Sequence, residues 1–282
     1  MQLWTGRGAS FARPATDATD VLVVAASSYP TLDELWTLWM LAQRSGPIEL
    51  PTHWEAICRY VEAARQGYVI DDCPPERALQ SVYRAVVDAH LGSEAPNHAA
   101  FLERAAELLL FVDEAVRAGA AVTSDLFQGE LRFARYLAAL GADLQLYRED
   151  RARGASFEVT LKPAPGAAEP ERQLSLLALS KPTARQFKVW ARNDADAPAG
   201  AGFALLLVEE APGEHVLSAD PTRGIRIGHL ASALSVVERA RGGGDWYDGA
   251  RHDGTLVAAP SGGSCLSQTQ VLDVLSRELT HI

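Results

Sequence analysis

Nine residues near the C-terminus, DWYDGARHD (245–253), concentrate ionisable and aromatic side chains between glycine-rich flanks. Arg251 can hold an anionic group through two parallel hydrogen bonds, and His252 can titrate near neutral pH. Asp245 and Asp248 add carboxylates to the same loop. The same composition also describes a solvated loop anchored by Trp246 and Tyr247. A few residues on, Ser261, Gly262, Gly263 and Ser264 lie between a predicted strand, TLVAA, and a predicted last helix. Glycines there let amide N–H groups turn inward, and a helix N-terminus adds positive potential, so the segment can cradle a phosphate or carboxylate. A tight strand-to-helix connection needs the same glycines for its turn. No Gly-Lys-Ser/Thr and no Gly-x-Ser-x-Gly is present, which excludes a Walker loop and a hydrolase nucleophile elbow.

The second candidate lies near the N-terminus, in VLVVAASSYPTLDELWTLWML (21–41). Its pattern predicts a buried strand, a tight loop and a helix. Thr31 and Glu34 are spaced as a capping box, and Asp33 and Glu34 suit the positive end of the helix dipole. Helix initiation alone accounts for every residue of the corner. The stretch also resembles the first motif of DHH-type phosphoesterases, in which a strand ends in His-x-Asp-x-Asp. Aligned on the last aspartate, Asp33 is retained, while Tyr29 and Thr31 stand in the His and first Asp positions. Asp71 or Asp72, after the short run YVI, corresponds to a further metal-binding aspartate. Asp88-Ala89-His90 corresponds to the Asp-His-His signature.

In that family such side chains bind Mn²⁺ or Mg²⁺ and activate water on a phosphoester. A divalent site needs several oxygen or imidazole ligands to offset dehydration of the ion. With two ligands of the first motif replaced, the resemblance implies a degenerate, non-catalytic relative with no cofactor. The alternative is an active Mn²⁺- or Mg²⁺-dependent phosphoesterase acting on nucleotide or oligonucleotide phosphodiesters through Asp33, Asp72, Asp88 and His90.

The C-terminal succession TARQFKVWARND, SADPTRG, GDWYDGARHDGTLV and SGGSCLS is similar to proteins of bacterial multi-gene conflict systems encoded with FtsH-like AAA+ proteases. Those proteins carry a D-x-W-Y-D-G-R-like element; here an alanine intervenes before Arg251. This resemblance implies an accessory defence protein that binds other proteins of its operon, or a nucleotide or other phosphorylated small molecule.

Apolar periodicity defines the elements that must position these residues. Helices are predicted from Leu32 to Arg44, Trp54 to Gln66, Glu76 to Leu91, Asn97 to Ala118 and Leu126 to Leu140, the last ending at Gly141. Short strands follow: LQLY, FEVTL, LSLLAL, FALLLVEE and HVLSA. REDRARG and KPAPGAAEPE read as exposed connections between them. A helix over 227–241, the strand TLVAA and a last helix complete the chain; Ser267 and Gln270 are spaced as a second capping box. The expected fold is α/β. A helix-rich DHH-like domain occupies 1–150, opening with strand–loop–helix, and a smaller strand-rich α/β domain with the ligand or partner loop occupies 151–282.

The formal net charge of −10 opposes bulk attraction to nucleic acid. No apolar run reaches the roughly 18 residues of a membrane span, and the N-terminal residues lack the apolar core of a signal peptide. Cys58, Cys73 and Cys265 form no CxxC pair, which fits a reducing, cytoplasmic setting.

Overall fold

The computed structural model describes residues 31–42, 51–65, 77–92, 95–161, 171–198, 202–250 and 254–281. The expected opening strand (21–25), the YVIDD run with Asp71 and Asp72, most of KPAPGAAEPE, and Arg251 and His252 lie outside those residues. The chain is an α/β protein, helix-rich in its first half and strand-rich in its second. It divides into two compact units, Met1–Leu140 and Gly141–Ile282.

In the first unit the described elements are helical: α1 (Leu32–Ala42), α2 (Thr52–Arg65), α3 (Leu79–Leu91) and α4 (His98–Arg117), then 3₁₀ turns at Ser124–Phe127 and Leu131–Phe133. The capping box of α1 forms. Glu34 accepts from the Thr31 amide at 2.9 Å, and the Thr31 hydroxyl accepts from the Glu34 amide at 3.4 Å. α4 buries Phe101, Leu108, Phe111 and Val112 on one face, as its 3.6-residue period requires. Phe111, Phe127 and Phe133 stack around one another with centroids 5.4–5.6 Å apart. Buried Asp113 on α4 ties down α2, accepting from the Trp54 indole N–H and lying 2.8 Å from His53 Nε2.

Three sequence expectations fail at the junction. The stretch from Leu126 is not one helix ending at Gly141. After the two 3₁₀ turns, α5 runs from Ala134 to Arg153, straight through Gly141, and absorbs both LQLY, expected as a strand, and REDRARG, expected as a connection. Its buried side is Tyr136, Leu140, Asp143, Tyr147 and Asp150. Those positions alternate steps of four and three residues, so they form a helical stripe whose two aspartates hide it from an apolar count.

The second unit is built on one mixed six-stranded sheet, in the order β5-β4-β3-β2-β1-β6. Its strands are β1 (Ala155–Leu161), β2 (Arg172–Ser180), β3 (Leu205–Glu209), β4 (His215–Ala219), β5 (Leu256–Ala258) and β6 (Leu279–His281). β2 and β3 pair in parallel, with Ser180 opposite Glu209, and the other neighbours pair antiparallel. The parallel crossover passes through α6 (Phe187–Arg192). α7 (Leu230–Arg239) and α8 (Gln268–Glu278) contribute Leu230, Leu234, Val271 and Leu275 to a core with Leu176, Leu205, Leu207, Leu217 and Val257. The alternate residues Leu177, Leu179, Leu206 and Val208 are buried too. β2 and β3 therefore read as continuous apolar runs, as strands covered on both faces do.

Candidate functional site

The metal-centre expectation can be followed at three residues. Asp33 is half-buried in the first turn of α1. Together with Glu34 it adds negative potential at Tyr83 of α3, whose phenol is pushed up mainly by burial. Asp88 and His90 are two residues apart on α3, hence on different sides of the helix. Asp88 accepts from Arg84 Nε at 3.1 Å, one turn earlier. His90 Nε2 lies 2.9 Å from the Tyr136 hydroxyl and 2.9 Å from Arg135 Nη2. Burial, then the positive charges of Arg135 and Arg104, hold the imidazole below its ordinary pKa. A guanidinium against that nitrogen occupies the side a cation would need. Among the described residues, no group of three His, Cys, Asp or Glu side chains is placed to hold a metal ion.

The C-terminal loops do come together, around a residue the sequence reading passed over. Glu238, in the last turn of α7, is fully buried. Its carboxylate accepts from the Ser264 hydroxyl, from the Cys265 amide at 2.6 Å and from the Trp246 indole N–H at 3.2 Å. Burial alone would raise its pKa, but these three donors prevail and keep it below the usual carboxylate range. The Trp246 amide donates to Ser235 Oγ at 2.9 Å, one turn back on α7. One helix therefore clasps both the DWYDG and the PSGGSC segments. Gly243 is required for the fit, since a Cβ there would stand 2.1 Å from the Glu238 carboxylate.

The expected ligand residues sit on this clasp in different ways. Asp245 is exposed and pairs with Arg239 at 3.0 Å. Asp248 is exposed, its carboxylate accepting from the Ala250 amide at 3.0 Å. Ser261 and Gly262 are exposed at the tip of their turn. Gly262 and Gly263 have φ of 98° and 94°, a region open to glycine. The amides that follow face the protein. Gly263 donates to Pro260 O at 2.9 Å, Ser264 to Gly213 O at 2.8 Å, and Cys265 to Glu238. The amides that an anion cradle would offer are thus taken up by Pro260 O, Gly213 O and the Glu238 carboxylate.

Beneath the clasp lies a second polar layer. His215 of β4 is fully buried, stacked on Trp246 with centroids 6.2 Å apart and rings 6° from parallel. Its Nε2 donates to Leu266 O at 2.8 Å and lies 3.8 Å from Glu209. Glu209 accepts from the Ser180 hydroxyl at 2.6 Å and from the Gly213 amide at 3.2 Å. The Ser180 bond is the largest cause holding Glu209 below the ordinary carboxylate pKa. Ser264–Glu238 and Ser180–Glu209 have the contacts of a nucleophile and its base, but a carboxylate with lowered pKa is a poor proton acceptor near neutrality. Both pairs hold loops in place.

Sequence could have pointed to Glu238. Ala231, Leu234, Ser235 and Glu238 continue the buried face of α7 at steps of three, one and three residues, so a carboxylate falls on an apolar stripe. Little local marks His215 or Glu209, since the Ser180 hydroxyl that binds Glu209 and the Leu266 carbonyl that binds His215 come from 29 and 51 residues away. Comparison with protein families, with curated proteins and with solved structures finds no match to this chain.

Proposed function

We propose that the chain is a non-catalytic accessory module of a bacterial conflict system, acting in the cytoplasm by docking a protein of the same operon on its DWYDG and PSGGSC loops. The observation that carries this reading is the Glu238 clasp. A buried carboxylate satisfied by Trp246, Ser264 and Cys265 fixes two loops while their tips, Asp245, Asp248, Ser261 and Gly262, stay exposed. Preorganised loops lose less conformational entropy on association. The resemblance of these segments to conflict-system proteins supports the choice of partner. In the first unit, the pairing of Asp88 with Arg84 and of His90 with Arg135 and Tyr136 supports the absence of phosphoesterase turnover, while descent from the DHH type rests on the sequence resemblance.

The test has two arms. The purified chain is assayed with Mn²⁺ and bis-p-nitrophenyl phosphate, and hydrogen exchange is compared with and without each purified operon neighbour. No hydrolysis is expected, together with protection confined to 243–250 and 260–267 when the right neighbour is added. Hydrolysis abolished by Asp33→Ala or Asp88→Ala would establish the phosphoesterase instead. Protection elsewhere, with none in the two loops, would overturn the docking face.

A further inference from the structure

The opposite end of the sheet, where β2 and β3 begin and β4 ends, brings three arginines to one segment: Arg223 pairs with Asp220, Arg192 lies in the field of both, and Arg172 is tied to the Arg223 backbone. Arg172 opens β2 and donates from Nη1 to Arg223 O at 2.6 Å. Arg192 ends α6 and is largely enclosed. It donates to Phe203 O at 2.7 Å and to Ser218 O at 2.9 Å. Arg223 pairs with Asp220 at 3.1 Å. Asp220 is itself engaged by the Thr222 amide and hydroxyl at 3.0 and 2.8 Å. Among the described residues neither Arg172 nor Arg192 forms an ion pair with a carboxylate.

Their partners are backbone carbonyls, which fix the guanidinium groups without neutralising them. Burying a cation in this way is costly unless a counter-charge arrives. Burial draws Arg192 down to about 10, with Asp220 opposing and Arg223 reinforcing that shift. In a chain of net charge −10, this is a local surplus of positive charge held in fixed geometry. An arginine has five N–H donors in a planar fork. Among the described residues, the bonds to the protein use Nη1 of Arg172, and Nη1 and Nη2 of Arg192.

We propose that Arg172, Arg192 and Arg223 form a binding site for a doubly charged oxyanion of the phosphate class, such as a phosphomonoester. Two guanidinium charges beyond the one balanced by Asp220 match a dianion, and planar forks suit its oxygens. The site lies at the other end of the sheet from the Glu238 clasp and does not depend on the partner-docking reading.

The experiment is calorimetric titration of the full chain with inorganic phosphate at pH 8, against acetate at matched ionic strength. Saturable phosphate binding is expected, with acetate weaker. Arg172→Gln should weaken phosphate on the order of tenfold, the worth of a charge-assisted hydrogen bond. Asp220→Asn, which removes the one competing carboxylate, should strengthen it. Arg59→Gln, an exposed arginine of the first unit, should change nothing. Absence of saturable binding would overturn the proposal, as would equal affinity for acetate. So would an Arg172→Gln protein that retains its circular dichroism spectrum and binds phosphate as the parent does.

Discussion

Glu238 combines full burial with donors from Trp246, Ser264 and Cys265 and, among the described residues, no cation at hydrogen-bond distance. Its energetic weight lies in what removal leaves behind. In Glu238→Gln one carboxylate oxygen becomes an NH₂ facing the Trp246 indole N–H or the Cys265 amide, so donor meets donor. The loss should be about 1–3 kcal/mol in urea denaturation, with hydrogen exchange rising in 260–267. A variant as stable as the parent would show that the carboxylate's charge is not needed. Residue identity in this region was partly legible. Asp245, Asp248, Ser261 and Gly262 are the exposed tips that composition singled out, while the side chain that organises them is marked only by its place on the buried stripe of α7. Asp33, Asp88 and His90 carry the opposite lesson. Spacing can align residues with a motif, but Asp88 pairs with Arg84 one turn back on its own helix, and His90 meets Arg135, 45 residues on, which spacing alone does not bring into view.

At the level of elements, local signals were read well where they were local. The α1 capping box formed, and so did that of α8, where Ser267 and Gln270 exchange amide contacts at 3.0 and 3.4 Å. The strands FEVTL, LSLLAL, FALLLVEE, HVLSA and TLVAA all overlap observed strands. α6 was missed because it has no side-chain N-cap, and the segment leading into it, Thr183–Gln186, is held from α5 instead. Asp150 accepts from the Thr183 and Ala184 amides at 2.7 and 2.8 Å, and Asp143 from those of Arg185 and Gln186 at 2.7 and 2.9 Å. Without a local N-cap, six residues give no start signal. Asp150→Ala should therefore cost about 3 kcal/mol, since it strands buried amides, and should raise hydrogen exchange over 183–192. Arg153→Ala, which removes only the half-exposed ion-pair partner of Asp150, should cost less than about 1 kcal/mol. If the two variants were equally destabilised, the capping account of α6 would be wrong.

For the whole molecule, the division into a helix-rich and a strand-rich half was visible in sequence because it reflects the change of period from 3.6 to 2. The strand order was not, because β1–β6 and β4–β5 join segments far apart in the chain. Stability as a function of pH is likewise a property of the ensemble of buried carboxylates. Asp150, Glu209 and Glu238 all have depressed values in the folded protein. Each contributes stability that is fully present above the unfolded-state range of about 4 and is lost as pH falls through the lower folded values. The urea midpoint should thus be level from pH 7 to about 5 and decline below about 4, with a shallower decline in Glu238→Gln. A midpoint unchanged down to pH 3 would contradict it.

Three indoles end on buried carboxylates: Trp54 on Asp113, Trp190 on Asp143 and Trp246 on Glu238. One such pair lies in the first unit and two in the second. An indole proton held by an anion resonates downfield of one in water and exchanges slowly. The unlabelled chain therefore carries three native reporters, in a part of the proton spectrum where few other signals fall. Followed during denaturation, they time the release of α2 from α4, of α6 from α5, and of the clasped loops from α7 as three separate events.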